Sequence, residues 1–574
     1  MRFFILVSML FLFSCSIFTD DDTDEKSEDT SATESTTSIE NIADDTLDSI
    51  VSTKYKNTND ATWGCHDPKL FQDDDGTYYI YSTGWADKVQ LRSSTDLVNW
   101  TKQSIIVETD SEFKKWVNTT ESWAPTVVKQ NGKYYMLHGI ITGNPPDVHA
   151  CITLAISDSA TGNFIPASQY DSDTYKTSTL VRYTWDNTAS GYTDSYNTAN
   201  KSWNYGFGCI DPEFVYDVAT GKLMTYTVGE NSCYAVTYGS WKQGIAVIYV
   251  DSETFKPVCT VEGISAYNNI SYTVGDEIDA PIDSINGNQG TFLVGRDQSQ
   301  NTDSAYEGAQ LIYNSNTGYY YIFVSMGDLT YEYRVGVGRA QSDGKTIPTQ
   351  YLDASGRDMS AVTNSTYHKI GSKIVGAAQL SGEYGWRSPG GQSILRTKDG
   401  KIILACHSRT TFMSGDFVLR LHQLFFTEDG WCVLNQNDYY YDYNGYTTDG
   451  TERLSKLTLS DIAGTYKTIL TVRGTAKSSL SLAGSSDTGN TADGTATESK
   501  EITIASDGTI TGAYTGKLSL GSDGYSSTVT IGGNEYKGYF LHAVDWARKN
   551  GSRRTITFTT MSDTTGEYFW GNRN

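Results

Sequence analysis

The sequence predicts an all-β protein, with a five-bladed β-propeller followed by a smaller β-sandwich or β-barrel domain. Three observations support this prediction. The chain has 53 Gly, 40 Tyr and 10 Pro in 574 residues, a composition typical of short strands joined by tight turns. No long stretch has the apolar spacing of an amphipathic helix. One two-strand motif recurs five times in the middle of the chain.

Residues 1–15 have the pattern of a lipoprotein signal peptide. Arg2 supplies a positive charge, and the apolar stretch that follows is too short to span a bilayer permanently. It ends in Leu12-Phe13-Ser14-Cys15, which resembles the lipobox of bacterial lipoproteins. We therefore expect a secreted protein anchored by a lipid on Cys15, at the outer membrane or cell surface. An ordinary signal peptide with an incidental Cys is the alternative.

Residues 16–55 are predicted to be a flexible linker. From Asp20 to Asp48 there are 12 acidic residues and one Lys, interleaved with Ser and Thr, which leaves too little apolar surface to fold. The whole chain has a formal net charge of -24. Nucleic acid binding requires clustered Lys and Arg, so this charge argues against it and favours a neutral ligand such as sugar.

Residues 56–450 contain the five repeats and are predicted to form the propeller. Each repeat has a small or acidic opening residue, an apolar run, a dipeptide ending in Gly, and a second apolar or aromatic run. Such a dipeptide between two runs indicates a β-hairpin. Five similar hairpins favour a propeller over a sandwich, because radial repetition leaves few exposed sheet edges. The repeats open at Asp67, Ala124, Asp211, Glu307 and Gly390.

Residues 451–574 are predicted to form the smaller domain. Short alternating strands follow one another from Glu501 to Thr559, with an Asp507-Gly508 turn among them. We find no catalytic set of residues here. Structural support is the expected role, and carbohydrate binding is the alternative.

Three of the five repeat openings are acidic: Asp67, Asp211 and Glu307. The first strand of each propeller blade lines the central channel, so these openings should converge at one mouth. Acids at close quarters repel, and at least one should have a raised pKa. Glycoside hydrolysis needs such a set, with one protonated carboxyl for the leaving oxygen and one carboxylate to activate water. Plain turns and a calcium site are the other uses of such acids.

Short motifs in a fixed order connect the chain to a known family. They are His66-Asp67-Pro68, Trp123-Ala124-Pro125, Cys209-Ile210-Asp211-Pro212, Tyr306-Glu307-Gly308, Ser388-Pro389-Gly390 and His407-Ser408-Arg409. The set resembles that of family 43 glycoside hydrolases. The later run from His422 to Trp431 and the appended β-domain resemble those of two-domain endo-α-1,5-L-arabinanases.

The resemblance implies inverting hydrolysis of α-1,5-L-arabinofuranosyl linkages in arabinan or in a related hemicellulose or pectin side chain. Asp67 would be the general base and Glu307 the general acid. Asp211 would adjust the pKa of Glu307 and orient it. Five further residues are candidates for substrate binding, with packing or core hydrogen bonding as the alternative: His66, Trp85, Trp123, His407 and Arg409.

The resemblance also implies a calcium ion in the central channel, held in part by a His of the fifth blade. The family pattern at this place is Ser-Pro-Gly-His-Asn-Ser. Here Gly391 stands where that His is expected, which argues against the metal. Gln392 is the adjacent residue that offers an oxygen.

The sequence leaves other functions open. An exo-acting arabinofuranosidase or β-xylosidase would use the same acids on another linkage or at a chain end. A non-catalytic glycan-binding lipoprotein would use the same scaffold and have no need of the acids.

Overall fold

Strands account for nearly all regular structure in the computed structural model. The structure describes residues 46, 48, 49, 59–85, 87–108, 121–142, 149–182, 185–187, 192–194, 208–241, 243–264, 270–283, 290–295, 306–327, 329, 333–360, 370–410, 417–440, 456–471, 478–481, 488–491 and 499–574. The predicted signal peptide and most of the predicted linker lie outside these residues. Two short helices are described, α1 (Ala167–Tyr170) and α2 (Leu459–Ile462). Among the described residues, no helix is both long and apolar enough to cross a membrane.

Five sheets follow one another along the chain and form the blades of a propeller. Blade 1 contains β1 (Lys69–Gln72), β2 (Tyr78–Ser82), β3 (Lys88–Ser94) and β4 (Thr101–Ile106). Blade 2 contains β5 (Trp123–Gln130), β6 (Lys133–Thr142), β7 (His149–Ser157), β8 (Ile165–Pro166) and β9 (Thr179–Arg182). A separate two-stranded ribbon follows, β10 (Trp185–Asn187) and β11 (Tyr192–Asp194).

The remaining three blades follow in chain order. Blade 3 contains β12 (Glu213–Phe214), β15 (Thr225–Val228), β16 (Asn231–Tyr238), β17 (Ile245–Asp251) and β21 (Thr291–Val294). Between these lie β13 (Tyr216–Asp217), β14 (Lys222–Leu223), β18 (Gly263–Ile264), β19 (Ser271–Tyr272) and β20 (Ile282–Asp283). Blade 4 contains β22 (Tyr306–Asn314), β23 (Tyr319–Met326), β24 (Arg334–Gln341) and β25 (Ser372–Val375). Blade 5 contains β26 (Ala378–Gln379), β27 (Gly385–Arg396), β28 (Ile402–Thr410), β29 (Val418–Phe426) and β30 (Cys432–Leu434).

Four of the five predicted hairpins form as expected, in blades 1, 2, 4 and 5. Blade 3 differs, because its first strand is divided at Val215. The Val215 N–H donates to the Ala235 carbonyl at 3.2 Å, and its own carbonyl accepts from the Met224 N–H at 2.9 Å. Consequently β12 pairs with β16, whereas β13 pairs with β14 and, in parallel, with β22 of blade 4. The division links blades 3 and 4 through backbone hydrogen bonds.

The ring closes between blades 5 and 1. Trp63, just before β1, is buried and forms a bridge with Val418 at the start of β29. The Leu419 N–H donates to the Thr62 carbonyl at 2.8 Å. A segment that precedes blade 1 therefore adds to the third strand of blade 5, so the first and last blades are held together without a covalent bond.

The C-terminal strands form a closed barrel, which resolves the choice between sandwich and barrel. The barrel strands are β31 (Gly464–Thr471), β34 (Lys500–Ile504), β35 (Thr509–Gly512), β36 (Gly516–Leu520), β37 (Ser526–Ile531), β38 (Asn534–Val544), β39 (Arg554–Met561) and β40 (Tyr568–Arg573). A separate ribbon pairs β32 (Ser478–Ser481) with β33 (Thr488–Thr491).

The barrel packs against blade 5 through three tryptophans and one arginine. The Trp386 ring on β27 lies 5.4 Å from the Trp546 ring and 5.9 Å from the Trp570 ring on β40, measured between centroids. The Arg420 guanidinium lies 4.0 Å from the centre of the Trp386 ring and pairs with Asp438 at 2.6 Å. All five side chains are buried. The barrel is therefore part of the core that supports blade 5, as a structural role predicts.

Replacing Trp570 with Ala should destabilise the propeller as well as the barrel. The change leaves a cavity beside Trp386, and Trp→Ala changes in cores cost roughly 3–5 kcal/mol. We expect one cooperative unfolding transition at lower temperature, measured by calorimetry. Trp85→Ala is the matched control, because that ring is 60% exposed. Two separate transitions, with the upper one at the wild-type temperature, would contradict the shared core.

Candidate active site

Each blade begins with the same backbone arrangement, in which one residue at the head of the inner strand pairs with the second strand. These head residues are His66, Trp123, Ile210, Glu307 and Gly390. The next residue has a left-handed backbone in every blade, with φ of 51° at Asp67, 41° at Ala124, 59° at Asp211, 58° at Gly308 and 57° at Gly391. The repeat is thus conformational as well as sequential.

This arrangement corrects one detail of the predicted equivalence. Asp67 and Asp211 are equivalent, as predicted, and both have the left-handed conformation, but Glu307 occupies the head position one residue earlier. Gly390 is displaced in the same way. The sequence comparison aligned acid with acid, whereas the structure aligns backbone conformations, and Gly308 takes the left-handed conformation at low steric cost.

A hydrogen bond between neighbouring blades holds the left-handed residue in place. In four blades its N–H donates to the second strand of the preceding blade: Ala124 to Thr83 Oγ1 (3.0 Å), Gly308 to the Gly239 carbonyl (3.3 Å), Gly391 to Ser325 Oγ (2.9 Å) and Asp67 to His407 Nδ1 (3.1 Å). His407 Nδ1 must therefore be unprotonated. Burial holds the pKa of His407 well below its usual value, in keeping with a neutral ring.

Asp67 is the ionised member of the carboxyl set. Thr83 Oγ1 donates to Asp67 Oδ2 at 2.7 Å, and His66 Nδ1 lies 3.0 Å from the same oxygen. Burial by itself would raise the pKa of Asp67, but the charge and hydrogen bond of His66, with smaller effects of His407 and Thr83, hold it below its ordinary value. The Asp67 side chain is 15% exposed, so water can reach this carboxylate.

Glu307 has the opposite electrostatic character. Tyr333 OH donates to Glu307 Oε1, and Ser240 Oγ donates to Oε2 at 2.7 Å. Burial raises the pKa of Glu307 above its usual value, although both hydrogen bonds act in the other direction. The negative charge of Asp67 raises it further. A raised pKa is the direction that a general acid requires.

Asp211, like Glu307, is a carboxyl with a raised pKa. A β-carbon added to Gly308 would lie 3.8 Å from Asp211 Oδ2, which places Asp211 beside the backbone that follows Glu307. Burial, then the charges of Asp67 and Glu307, raise its pKa well above the usual value. Lys69 lowers it in part. One carboxyl with a lowered pKa beside two with raised pKa values is the division that acid–base chemistry on a neutral substrate requires.

A buried ion pair lies two residues further along the inner strands. Lys69 Nζ lies 3.0 Å from Glu213 Oε2, and Thr126 Oγ1 donates to Glu213 Oε1 at 2.7 Å. Lys69 and Glu213 each follow a left-handed Asp by two residues, so the equivalence of blades 1, 2 and 3 extends one layer below the acids. This layer supplies a fixed positive charge beneath Asp211.

The structure groups some of the predicted binding residues with the acids. The His66 and His407 rings stack at 4.5 Å between centroids, beside Phe417, and the Arg409 guanidinium lies 4.6 Å from the Phe417 ring centre. The charge of Arg409 lowers the pKa of both imidazoles. His66 nevertheless has a raised pKa, because the interaction with Asp67 outweighs the opposing effect of burial.

The two predicted tryptophans are placed differently. Trp123 is partly exposed at the head position of blade 2, and its indole N–H donates to Glu121 at 2.8 Å. Trp85 is 60% exposed and follows Gly84, whose backbone pairs with Ser122 at the start of blade 2. Neither ring has a recorded contact with the acids, so their contribution to substrate binding stays a prediction.

Sequence reasoning missed Ser240 and Tyr333, the two hydroxyl donors to Glu307. Ser240 follows β16 in blade 3, and Tyr333 precedes β24 in blade 4. Neither belongs to a repeated motif. The backbone of Ser240 forms a bridge with that of Glu307, which marks Ser240 as a neighbour of the acid. This bridge is visible only in the folded chain.

Comparison with known proteins agrees with the fold. Residues 62–180 match the model of glycosyl hydrolases family 43, and residues 441–571 match that family's C-terminal lipocalin-like domain. Two stretches of the chain, one in the propeller and one at the C-terminal end, thus match domains of glycosyl hydrolases family 43. An extracellular endo-α-(1→5)-L-arabinanase of Thermotoga petrophila is 27% identical over 88% of this chain and 93% of that protein. A second such arabinanase, from Bacillus subtilis, is 24% identical over 88% and 92%.

Solved structures show the same two-domain fold. The endo-1,5-α-L-arabinanase of Thermotoga petrophila RKU-1 matches with a TM-score of 0.62 and 24% identity, over 90% of this chain and 99% of that one. The family 43 protein YxiA of Bacillus licheniformis matches with a TM-score of 0.62 and 23% identity, over 89% and 98%. These likenesses extend over both the propeller and the barrel.

The channel residues do not fit the implied calcium ion. A β-carbon at Gly391 would lie 2.5 Å from Asp67 Oδ1 and 2.8 Å from His407 Nδ1, so a His there has no room. The Gln392 amide bridges blades, accepting from Ser325 Oγ at 2.8 Å and donating to the Gly308 carbonyl at 2.6 Å.

The other charged groups nearby also disfavour calcium. Lys69 Nζ lies 3.4 Å from the Gln392 carbonyl, so a positive charge already faces the channel. Among the described residues, one cluster of potential metal ligands brings His66, Asp67 and His407 within 4.8 Å of one another. It offers two imidazoles and one carboxylate, whereas calcium prefers six to eight oxygens. Such a set suits a transition metal better.

Chelation should therefore leave the folded protein unchanged. We expect less than stoichiometric calcium in the purified protein by mass spectrometry of metals. We also expect the same unfolding temperature before and after dialysis against a chelator. Gly391→Ala serves as a comparison, because its added β-carbon crowds Asp67 and should lower that temperature. One retained calcium per chain, or a lower unfolding temperature after chelation, would contradict the fit.

Proposed function

We propose that this protein is an endo-acting arabinanase that hydrolyses α-1,5-L-arabinofuranosyl linkages with inversion. The observation that carries the proposal is the carboxyl set at one end of the propeller channel, in which Asp67 has a lowered pKa and Glu307 a raised one. The near-full-length similarity to extracellular endo-α-(1→5)-L-arabinanases supports arabinan as the substrate.

Asp67 acts as the general base and Glu307 as the general acid. Asp67 takes a proton from water as the water oxygen attacks the anomeric carbon. Glu307 gives its proton to the glycosidic oxygen, which keeps the electrons of the broken carbon–oxygen bond. Inversion follows because water attacks the face opposite the leaving group, and it needs the two carboxyls roughly 6.5–9.5 Å apart.

Asp211 tunes the acid. Burial and the charges of Asp67 and Glu307 raise the pKa of Asp211 well above its usual value. A group so linked by charge to Glu307 influences how readily Glu307 takes up and gives its proton.

Incubation with arabinan tests the proposal. Debranched arabinan should yield a ladder of oligosaccharides with an increase in reducing ends, and xylan should yield none. Asp67→Asn and Glu307→Gln should each lower kcat at least about 100-fold, the usual contribution of a general acid or base. Asp75→Asn, an exposed aspartate in the blade 1 turn, is the matched control.

The other outcomes identify the alternatives. Arabinose alone as product would indicate an exo-acting arabinofuranosidase, and release from xylo-oligosaccharides a β-xylosidase. Arabinan binding without new reducing ends, unaffected by Asp67→Asn, would contradict the enzyme proposal in favour of a glycan-binding protein.

We further propose that the protein is exported and anchored by a lipid on Cys15. The Leu12-to-Cys15 pattern supports anchoring, and the extracellular relatives support export. The acidic segment after Cys15 would act as a spacer that lets the enzyme reach a polymer.

Cys15→Ala should release the protein from the membrane fraction, measured by fractionation and immunoblotting. The matched control is Cys259→Ala, which replaces a buried thiol in blade 3 and should stay with the membranes. Equal distribution of the wild type and Cys15→Ala would contradict a lipid anchor.

A further inference from the structure

Tyr333 is a buried tyrosine whose ring lies between the two working halves of the site. Its side chain is 3% exposed and its hydroxyl donates to Glu307 Oε1. Its ring is parallel to that of His407, with 5.8 Å between centroids and 7° between planes. Tyr333 thus contacts both Glu307 and His407, and His407 is the imidazole that accepts the Asp67 N–H.

The ring occupies space that another blade leaves empty. A β-carbon at Gly390 would lie 2.1 Å from Tyr333 Cε1, so only glycine is compatible with the ring in this place. Gly390 is the head residue of blade 5, equivalent to His66, Trp123 and Glu307. Blade 4 therefore supplies, through Tyr333, the side chain that blade 5 lacks at the mouth of the channel.

The contacts of Glu307 fix its carboxyl from two sides. Tyr333 holds Oε1 and Ser240 holds Oε2, so rotation of the carboxyl breaks at least one hydrogen bond. His407, on which the Tyr333 ring stacks, is in turn bonded to the backbone of Asp67. The distance between acid and base is therefore set by a continuous path through Tyr333 and His407.

We propose that Tyr333 is the positioning residue that fixes Glu307 relative to Asp67 and stabilises the carboxylate formed when Glu307 protonates the leaving oxygen. The inference rests on the proposed acid function of Glu307. Tyr333 keeps its own proton throughout and donates the same hydrogen bond more strongly once Glu307 is charged.

The direction of the pH effect follows from the groups that act on Glu307. Burial raises its pKa, Tyr333 and Ser240 lower it by hydrogen bonds, Asp67 raises it, and His66 lowers it by charge. Asp211, across the pocket, is also coupled to it by charge. Removing the Tyr333 hydroxyl takes away a lowering effect, so the pKa of Glu307 rises. The alkaline limb of the pH profile of kcat/KM should move to higher pH, because the acid stays protonated longer.

Tyr333→Phe tests the proposal, since it keeps the ring stacked on His407 and removes the hydroxyl. We expect kcat on debranched arabinan to fall about 10- to 100-fold, as for loss of a hydrogen bond to a charged group. A dinitrophenyl glycoside of α-1,5-arabinobiose needs little protonation of its leaving group, so its cleavage should fall less than about threefold. The alkaline limb should shift upward on arabinan.

Tyr320→Phe is the matched control. It removes another buried tyrosine hydroxyl of blade 4, one bonded to Tyr226 OH at 3.0 Å and to the Gly344 carbonyl at 3.1 Å. Activity and pH profile should stay those of the wild type. The proposal would be overturned if Tyr333→Phe lowered kcat equally on both substrates and left the alkaline limb of the pH profile unchanged. Tyr333 would then have only a structural role.

Two further measurements keep the outcome decisive. If Tyr333→Phe does not fold, Gly390→Ala displaces the ring instead and should show the same selective loss on arabinan. If the wild type does not cleave arabinan, the proposed function fails. In that case, infrared difference spectra test only the hydrogen bond between Tyr333 and Glu307. The carboxyl band of Glu307 is identified as the band that is missing in Glu307→Gln. An unchanged Glu307 titration in Tyr333→Phe would overturn the proposal.

Discussion

The hydrogen bond from a left-handed residue at the head of one blade to the second strand of the preceding blade is the contact on which the site depends. At Asp67 it ends on His407 Nδ1, and at Ala124 on the Thr83 hydroxyl that also binds the Asp67 carboxylate. A left-handed conformation costs roughly 1–2 kcal/mol for a residue with a β-carbon. The following proline adds a further restriction. The neighbouring blade therefore holds Asp67 in a conformation that an isolated strand would leave.

The same packing separates the carboxyls by charge state. Burial raises the pKa of all three, and local partners then decide the result. His66 and Thr83 interact with the Asp67 carboxylate and keep it ionised. Glu307 accepts hydrogen bonds from two neutral hydroxyls, and its pKa remains above its usual value. The ion pair of Lys69 and Glu213 lies one layer below the acids. In the same channel, Gly391 stands where the family pattern has a His. Electrostatic balance in this channel is thus built from side chains.

The barrel contributes to the site through blade 5. Trp386 on β27 and Arg420 on β29 contact barrel tryptophans, and β28 between them carries His407. Because β28 is held by strands on both sides, the position of His407 is fixed. Asp67 and Tyr333 both contact His407, so their positions depend on it. The closing pair of Trp63 and Val418 joins the same blade to blade 1. Stability of the outer core and geometry of the acid pair are therefore physically connected.

Local sequence patterns were sufficient to predict the fold class and the number of blades, and they pointed to Asp67, Asp211 and Glu307 as the candidate acids. Turn dipeptides with glycine and alternating apolar runs are local signals, so they can be read without knowledge of the folded chain. Blade 3 escaped prediction because Val215 divides its hydrogen bonds between two neighbours. Tertiary structure alone decided that Glu307 sits one residue ahead of Asp67 and Asp211 in the repeat. It also decided that Ser240 and Tyr333 are its partners. Those contacts join residues from different blades, and no local pattern records which side chains a closed ring will bring face to face.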